Sequence, residues 1–471
     1  MARHGMFATR DVGSLISGTT EEGTRLKKAV SVRHLTAMGV GAIIGTGIFV
    51  VIGEGSRIAG PAVVLSFVLA AVACAFSALS YAELASSIPV SGSAYTYAYA
   101  TLGEVVAWII GWDLILEYGV SVAAIALGWG GNLNAFLDAA FGWSLPTAIA
   151  TSPEDGGIFN LPAVVVVLAI TFLLVRGVTE SLRVNLVMVV IKLLVLTFFI
   201  VVAFANFGTG NFTPFAPHGV DGITSAAAII FFAYIGFDAV STGSEEARNP
   251  ARDLPLAIIG SLVVCTVFYV LTVIGAIGIA TPEQMSASDA PLAAALDQGA
   301  GLNWAAAVLA LGAVVAITSV VLVIFYGQTR IFFAMCRDGL LPRRLAAVNQ
   351  RYGTPARLTI ILGVSISVLA AFVPLGTIVE LVNIGTLFAF VLVNIGVIVL
   401  RRTRPDMPRP YRVPWVPVLP LIGIAFAVYL MADLPLDTWI RFVGWMAVGL
   451  LIYFLYGYRH SRLRGPESRR S

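Results

Sequence analysis

The stretch Gly39–Val50 reads GVGAIIGTGIFV, four glycines in twelve residues at the head of a long apolar run. Three readings of it lead to three different molecules. As a glycine-rich dinucleotide turn it would need a preceding strand and a βαβ unit, and the flanking sequence shows neither. As a small-xxx-small pattern, GAIIG would let two membrane helices approach closely. As a helix break, Gly45 and Gly47 around the hydroxyl of Thr46 would each lower helix stability by roughly 1 kcal/mol relative to alanine and leave main-chain N–H groups without partners. Inside a bilayer such groups are tolerated only when buried in protein or lining a wet cavity. N–H groups opening the second half-helix would then attract a carboxylate, helped by the positive end of its dipole.

Composition supplies the bilayer. Of 471 residues, 58% are hydrophobic and 12% charged, more apolar surface than a soluble core of this length can hide. Apolar runs of about 20 residues cross a hydrocarbon core as helices. Twelve such runs fall at 35–52, 61–87, 98–128, 158–176, 184–206, 222–243, 254–279, 303–335, 355–373, 377–400, 413–432 and 437–458. The expected fold class is therefore all-α integral membrane with twelve transmembrane helices: one transporter-sized domain over 35–459, with cytoplasmic tails at 1–34 and 460–471. The first tail is polar and lacks the short apolar core of a cleavable signal, so the first span is expected to stay.

Charge placement predicts orientation. With the N-terminus inside and alternating spans, 26 of the 29 Lys and Arg fall on the cytoplasmic side. Arg57 and Arg441 fall outside and Lys192 lies within a span. Both termini are expected in the cytoplasm of a multi-pass cell-membrane protein. The net charge of +3 follows from this asymmetry and does not point to nucleic acid. Cys74, Cys265 and Cys336 lie far apart with no CxxC or Cys/His cluster, so no disulfide framework, metal site or cofactor is expected.

A broken helix in one half of a transporter calls for a counterpart in the other. Five spans after the first, the sixth contains FFAYIGFDAVST (Phe231 to Thr242), with Gly236 in its middle and Asp238 just beyond. The two interruptions occupy corresponding places in two halves of five spans each. This pairing favours the break over the packing reading of Gly39–Val50.

The segments GVGAIIGTGIFV, FFAYIGFDAVSTGSEEARNPARDLP and GQTRIFFAMCRDGLLP, with the closing stretch Tyr429–Ser461, resemble the cationic amino acid transporter family of the amino acid, polyamine and organocation superfamily. The similarity runs from His34 to His460. It implies two inverted five-helix repeats plus two peripheral helices, with an amino acid bound at broken helices 1 and 6. Carried over by position, main-chain N–H groups near Gly45, Thr46 and Gly47 would hold the substrate carboxylate. Carbonyls near Ile43 and around Phe231, Ala233 and Ile235 would hold its ammonium group. Free N–H groups for the anion and free C=O groups for the cation give the same polarity from physics alone.

Each ionisable residue inside a span costs several kcal/mol unless paired or hydrated. Lys192 stands eight residues into the fifth span, about 12 Å of helix rise from its start. It either snorkels to the cytoplasmic surface or donates to carbonyls freed by the broken first helix. The resemblance implies the second, with the ammonium in place of the cation that sodium-coupled relatives of the fold hold between helices 1, 5 and 8. Gain and loss of its proton would then couple transport to a proton gradient. Asp113 and Glu117 lie four apart on one helix face; Asp113 reads as structural, whereas Glu117 would line the end of the pocket and favour Lys, Arg or ornithine. Asp238 is expected to cap or pair locally. Thr318 and Ser319 resemble a sodium-holding hydroxyl pair, yet such hydroxyls commonly bond back into their own helix.

The four histidines, His4, His34, His218 and His460, fall in tails or loops, so no clustered nucleophile, base or metal set argues for an enzyme. No selectivity filter or charge ring argues for a channel. The expected function is a carrier for amino acids, cationic ones by the resemblance, coupled to protons; a neutral carrier or exchanger, or a sensor on the same fold, is the alternative.

Overall fold

A computed structural model describes residues 8–9, 30–88, 94–177, 182–347, 349, 352 and 354–461. Most of the expected N-terminal tail and all but the first two residues of the C-terminal tail lie outside the described residues. Those described are helical, with one isolated β-bridge between Val30 and Ala247. Among the described residues, eight helical stretches are long and apolar enough to cross a membrane, and three shorter apolar helices accompany them. Helices are what such sequences must form, because hydrocarbon offers backbone groups no water and only intra-segment bonding satisfies them.

In chain order the main helices are α1 (Val32–Ile43), α2 (Ile52–Ala59), α3 (Val63–Ser87), α4 (Ala94–Thr101), α5 (Glu104–Phe141), α6 (Leu161–Val175) and α7 (Leu182–Ala205). They continue with α8 (Gly219–Ile230), α9 (Pro250–Ile279), α10 (Asn303–Arg337), α11 (Ala356–Phe372), α12 (Leu375–Thr403), α13 (Val418–Ala432) and α14 (Leu436–Ile452). Outward faces are apolar: Val187, Val190, Leu194 and Val201 on α7, and Val263, Val267 and Leu271 on α9, repeat at helical spacing while remaining exposed. An apolar stripe of that length with no protein against it is a lipid-facing surface. The polar interior lies around α5, which packs on α4, α6, α10, α11 and α12.

Two helices inside the bundle are interrupted. The helical path of α1 ends at Ile43, and Ile44 turns to an extended conformation (φ −74°, ψ 104°). A π-type turn over Gly47–Val51 then restarts the helix into α2. Likewise α8 ends at Ile230; a tight turn over Phe231–Tyr234 leads to extended Ile235 (φ −64°, ψ 138°) and to Gly236, whose φ of 117° suits glycine alone. A Cβ on Gly236 would also lie 3.0 Å from the Ala42 backbone, so the two interruptions touch.

At the far end of α3, one buried carboxylate ties three segments together. Glu83 accepts from Arg401 at the end of α12 (2.9 and 2.6 Å) and from the main-chain N–H of Val413 in the connection to α13 (2.7 Å). A two-pronged guanidinium–carboxylate contact of this kind is charge-assisted and directional.

Gly236→Ala should destabilise the protein by about 1–3 kcal/mol, because the new Cβ meets both an unfavourable φ and the Ala42 backbone. Thermal unfolding of the detergent-solubilised variant should show a lowered Tm. An unchanged Tm would mean that the crossing relaxes without cost.

Candidate substrate site

The two interruptions cross at backbone contact: a Cβ on Gly47 would fall 2.2 Å from Cα of Ala233. On the α5 side, Thr46 rests against Gly128 and directs its hydroxyl to the Ile125 carbonyl (3.4 Å). On the α10 side, Val320 reaches within 3.0 Å of a Cβ built on Gly45. Phe231 is buried and meets Phe390 of α12 edge-on (5.6 Å), and Phe237 and Tyr81 stand against the same ring. Ile235 is half-buried. Gly45, Thr46, Gly47, Phe231, Ala233, Ile235 and the end of α1 at Ile43 thus converge on one crossing.

Breaking a helix leaves its last carbonyls without intrahelical donors, and here neighbouring helices supply them. Lys192 of α7, 1% exposed, donates from Nζ to the Gly41 carbonyl (2.5 Å). The hydroxyl of Tyr269 on α9 lies 2.9 Å from the carbonyl of Ile43 and 2.9 Å from that of Ala233. Having one proton, it donates to one of them at a time and bridges the two interruptions. Asn383 of α12 donates from Nδ2 to the carbonyls of Ala228 (2.7 Å) and Ile229 (3.0 Å) in the last turn of α8.

Sequence reasoning missed Tyr269 and Asn383. Both sit inside apolar runs, and the one signal they carry is that a polar tip buried in a membrane span must find a partner. The Ile43 and Ala233 carbonyls expected to hold an ammonium group are, in this arrangement, held by the Tyr269 phenol.

Thr318 and Ser319 bond back into their own helix, to the carbonyls of Val314 (2.7 Å) and Ala316 (3.0 Å), and Thr318 also accepts from Trp129 (2.9 Å). Among the described residues, no group of three or more His, Cys, Asp or Glu could hold a metal ion. Glu117 and Asp113 are buried on the α5 face beside Gly385 of α12. Glu117 lies eight residues before Ile125, about 12 Å of helix rise from the Thr46 contact. Asp238 accepts from Tyr118 (3.2 Å) and from main-chain N–H groups of its own turn.

An apolar outer surface around a buried polar centre, where two interrupted helices cross, defines a multi-pass membrane transporter. The chain belongs to the amino acid permease family, whose pattern it matches over residues 30–452. It is 49% identical to the branched-chain amino acid permease BcaP of Bacillus subtilis (strain 168), over 97% of this chain and 99% of that protein. The methylthioribose transporter of the same organism is 44% identical, over 93% and 95% of the two chains. The vacuolar cationic amino acid transporter 4 of Arabidopsis thaliana is 39% identical over 81% of this chain and 64% of its own length.

Gly47→Ala should abolish binding, since even a methyl group must push Ala233 away. Substrate-induced thermal stabilisation of the purified variant should vanish while its far-ultraviolet circular dichroism stays helical. Retained stabilisation would place the site elsewhere.

Proposed function

We propose that the protein is an alternating-access carrier that recognises amino acids by main-chain groups at the crossing of two broken helices. The observation carrying this reading is the contact of Gly47 with Ala233, flanked by carbonyls of both interruptions that a single phenol bridges. Main-chain N–H groups near Gly45, Thr46 and Gly47 take the carboxylate, and the carbonyls of Ile43, Phe231, Ala233 and Ile235 take the ammonium group once Tyr269 yields. Counting the 56-residue stretch Val32–Ser87 as two passes and including the three shorter apolar helices gives twelve spans. In this reading the first ten form two inverted repeats with α13 and α14 peripheral, and both termini lie in the cytoplasm.

The side-chain class follows from the walls. Val320 against Gly45 and the Phe231–Phe390 pair are apolar, and the relative with 49% identity is named for branched-chain amino acids. Small and branched apolar amino acids are therefore the first substrates to test. A cationic preference is the second reading, favoured by Glu117: a lysine or arginine side chain extended from the crossing could approach it. At about 4 Å and an effective dielectric near 20, opposite charges attract by about 4 kcal/mol. Proteoliposome uptake of labelled leucine, alanine and arginine decides between them. Leucine and alanine taken up well ahead of arginine, with Glu117→Gln affecting all three alike, is the expected result. Arginine ahead, with its uptake selectively lost in Glu117→Gln, would establish the cationic reading.

Coupling to protons is assigned to Lys192, whose charged ammonium braces the last turn of α1 and whose neutral form would release it. Lys192→Met should keep some substrate binding and lose acceleration of uptake by an inwardly directed proton gradient. If this variant still concentrates substrate in response to the gradient, Lys192 is a strut and the coupling lies elsewhere.

A further inference from the structure

Along α5 runs a row of buried polar atoms without a hydrogen-bond partner. Asp113 is fully buried, and neither of its carboxylate oxygens has a hydrogen-bond partner. Glu117, one turn on and 2% exposed, leaves Oε2 without one, and so does the hydroxyl of Ser121 a further turn along the same face. Facing them is Gly385 of α12, so close that a Cβ there would lie 2.9 Å from Oδ1 of Asp113. Thr386 next to it is within reach of Glu117, but its single proton is also offered to the Val382 carbonyl at 3.0 Å.

Asp238 is the contrasting case. Tyr118 donates to it and its own turn aims main-chain N–H groups at it, so its charge is solvated by protein. Glu117 lies close enough to Asp238, and to Asp113, for their charges to repel. The titratable groups beside Glu117 on neighbouring positions are the phenols Tyr118 on α5 and Tyr81 on α3, which supply no positive charge. Among the described residues, no Lys, Arg or His acts on Asp113 or Glu117.

Surplus acceptors and the absence of a counter-charge leave two ways to neutralise the layer. A metal ion would need converging ligands, and no such group is present among the described residues; the Gly385 backbone moreover fills the space beside Asp113. A proton needs no space, and each carboxyl that takes one supplies the missing O–H donor. We propose that Asp113 and Glu117 carry bound protons in this closed arrangement, and that this pair is a proton-binding site of the carrier, distinct from Lys192. When the α5–α12 contact opens to water, a carboxyl gives its proton to water and becomes a hydrated carboxylate; reclosing requires a proton to return. The transport part of this inference rests on the carrier reading, whereas the bound protons do not.

Infrared spectroscopy of the purified protein at neutral pH tests the occupancy directly. The C=O stretch of protonated carboxylic acids should be present, and Asp113→Asn and Glu117→Gln should each remove part of it. Labelling aspartate or glutamate selectively with carbon-13 assigns the same band in the unsubstituted protein, whether or not the variants fold. Absence of the band, or a band unchanged by both substitutions, overturns the proposal. In vesicles loaded with a pH-sensitive dye, protons taken up per labelled alanine should be fewer in each variant than in the parent. A ratio equal to the parent's would remove the pair from coupling. A parent that moves no amino acid at all would sink the carrier reading instead and leave the infrared band to decide the proton site.

Discussion

Main-chain carbonyls left open inside a bilayer govern the architecture. Interrupting α1 and α8 frees several of them where water is scarce, and an unmet polar group there costs several kcal/mol. The protein meets the cost with three long-reaching donors from three other helices: Lys192, Tyr269 and Asn383 hold Gly41, Ile43 with Ala233, and Ala228 with Ile229. Each of α7, α9 and α12 is thereby keyed to an interruption by a polar bond as well as by packing.

The same bonds leave the crossing with fewer donors than acceptors. Tyr269 has one proton for two carbonyls, so one of them is always the weaker partner. An ammonium group brings more donors than a phenol and can satisfy both. The crossing is tight because glycine stands at its contact points: Gly47 on Ala233 and Gly236 on Ala42 bring backbone against backbone, which no side chain would permit. At the end of α3 the Glu83–Arg401 contact and its link to Val413 tie α3, α12 and the connection to α13 together.

Much of the architecture was legible in the sequence because bilayers enforce simple rules. Apolar run length marked the helices, and glycines within two runs five spans apart marked the interruptions. The break reading of Gly39–Val50 describes the structure, since the path breaks at Ile44, and the tight approaches fall at Gly39 and Gly47, outside the GAIIG pair of the packing reading. Lys192 could be singled out because a lone charge in mid-span must find partners. Tyr269 could not, since a tyrosine in an apolar run looks the same whether it faces lipid or a broken helix. Asn383 and the Glu83–Arg401 contact join residues more than 150 and 300 positions apart in sequence, and no local period records such pairings. Asp113 looked structural for a similar reason: its lack of any donor is visible only once α12 is packed against it.

Main-chain recognition of a free amino acid is the central claim, and altered substrates test it most directly. Uptake of labelled alanine into proteoliposomes should be inhibited by excess unlabelled alanine and leucine, but not by N-acetylalanine, which lacks the ammonium group, nor by alanine methyl ester, which lacks the carboxylate. Inhibition by both derivatives as strong as that by alanine would contradict a site built from the freed groups of α1 and α8.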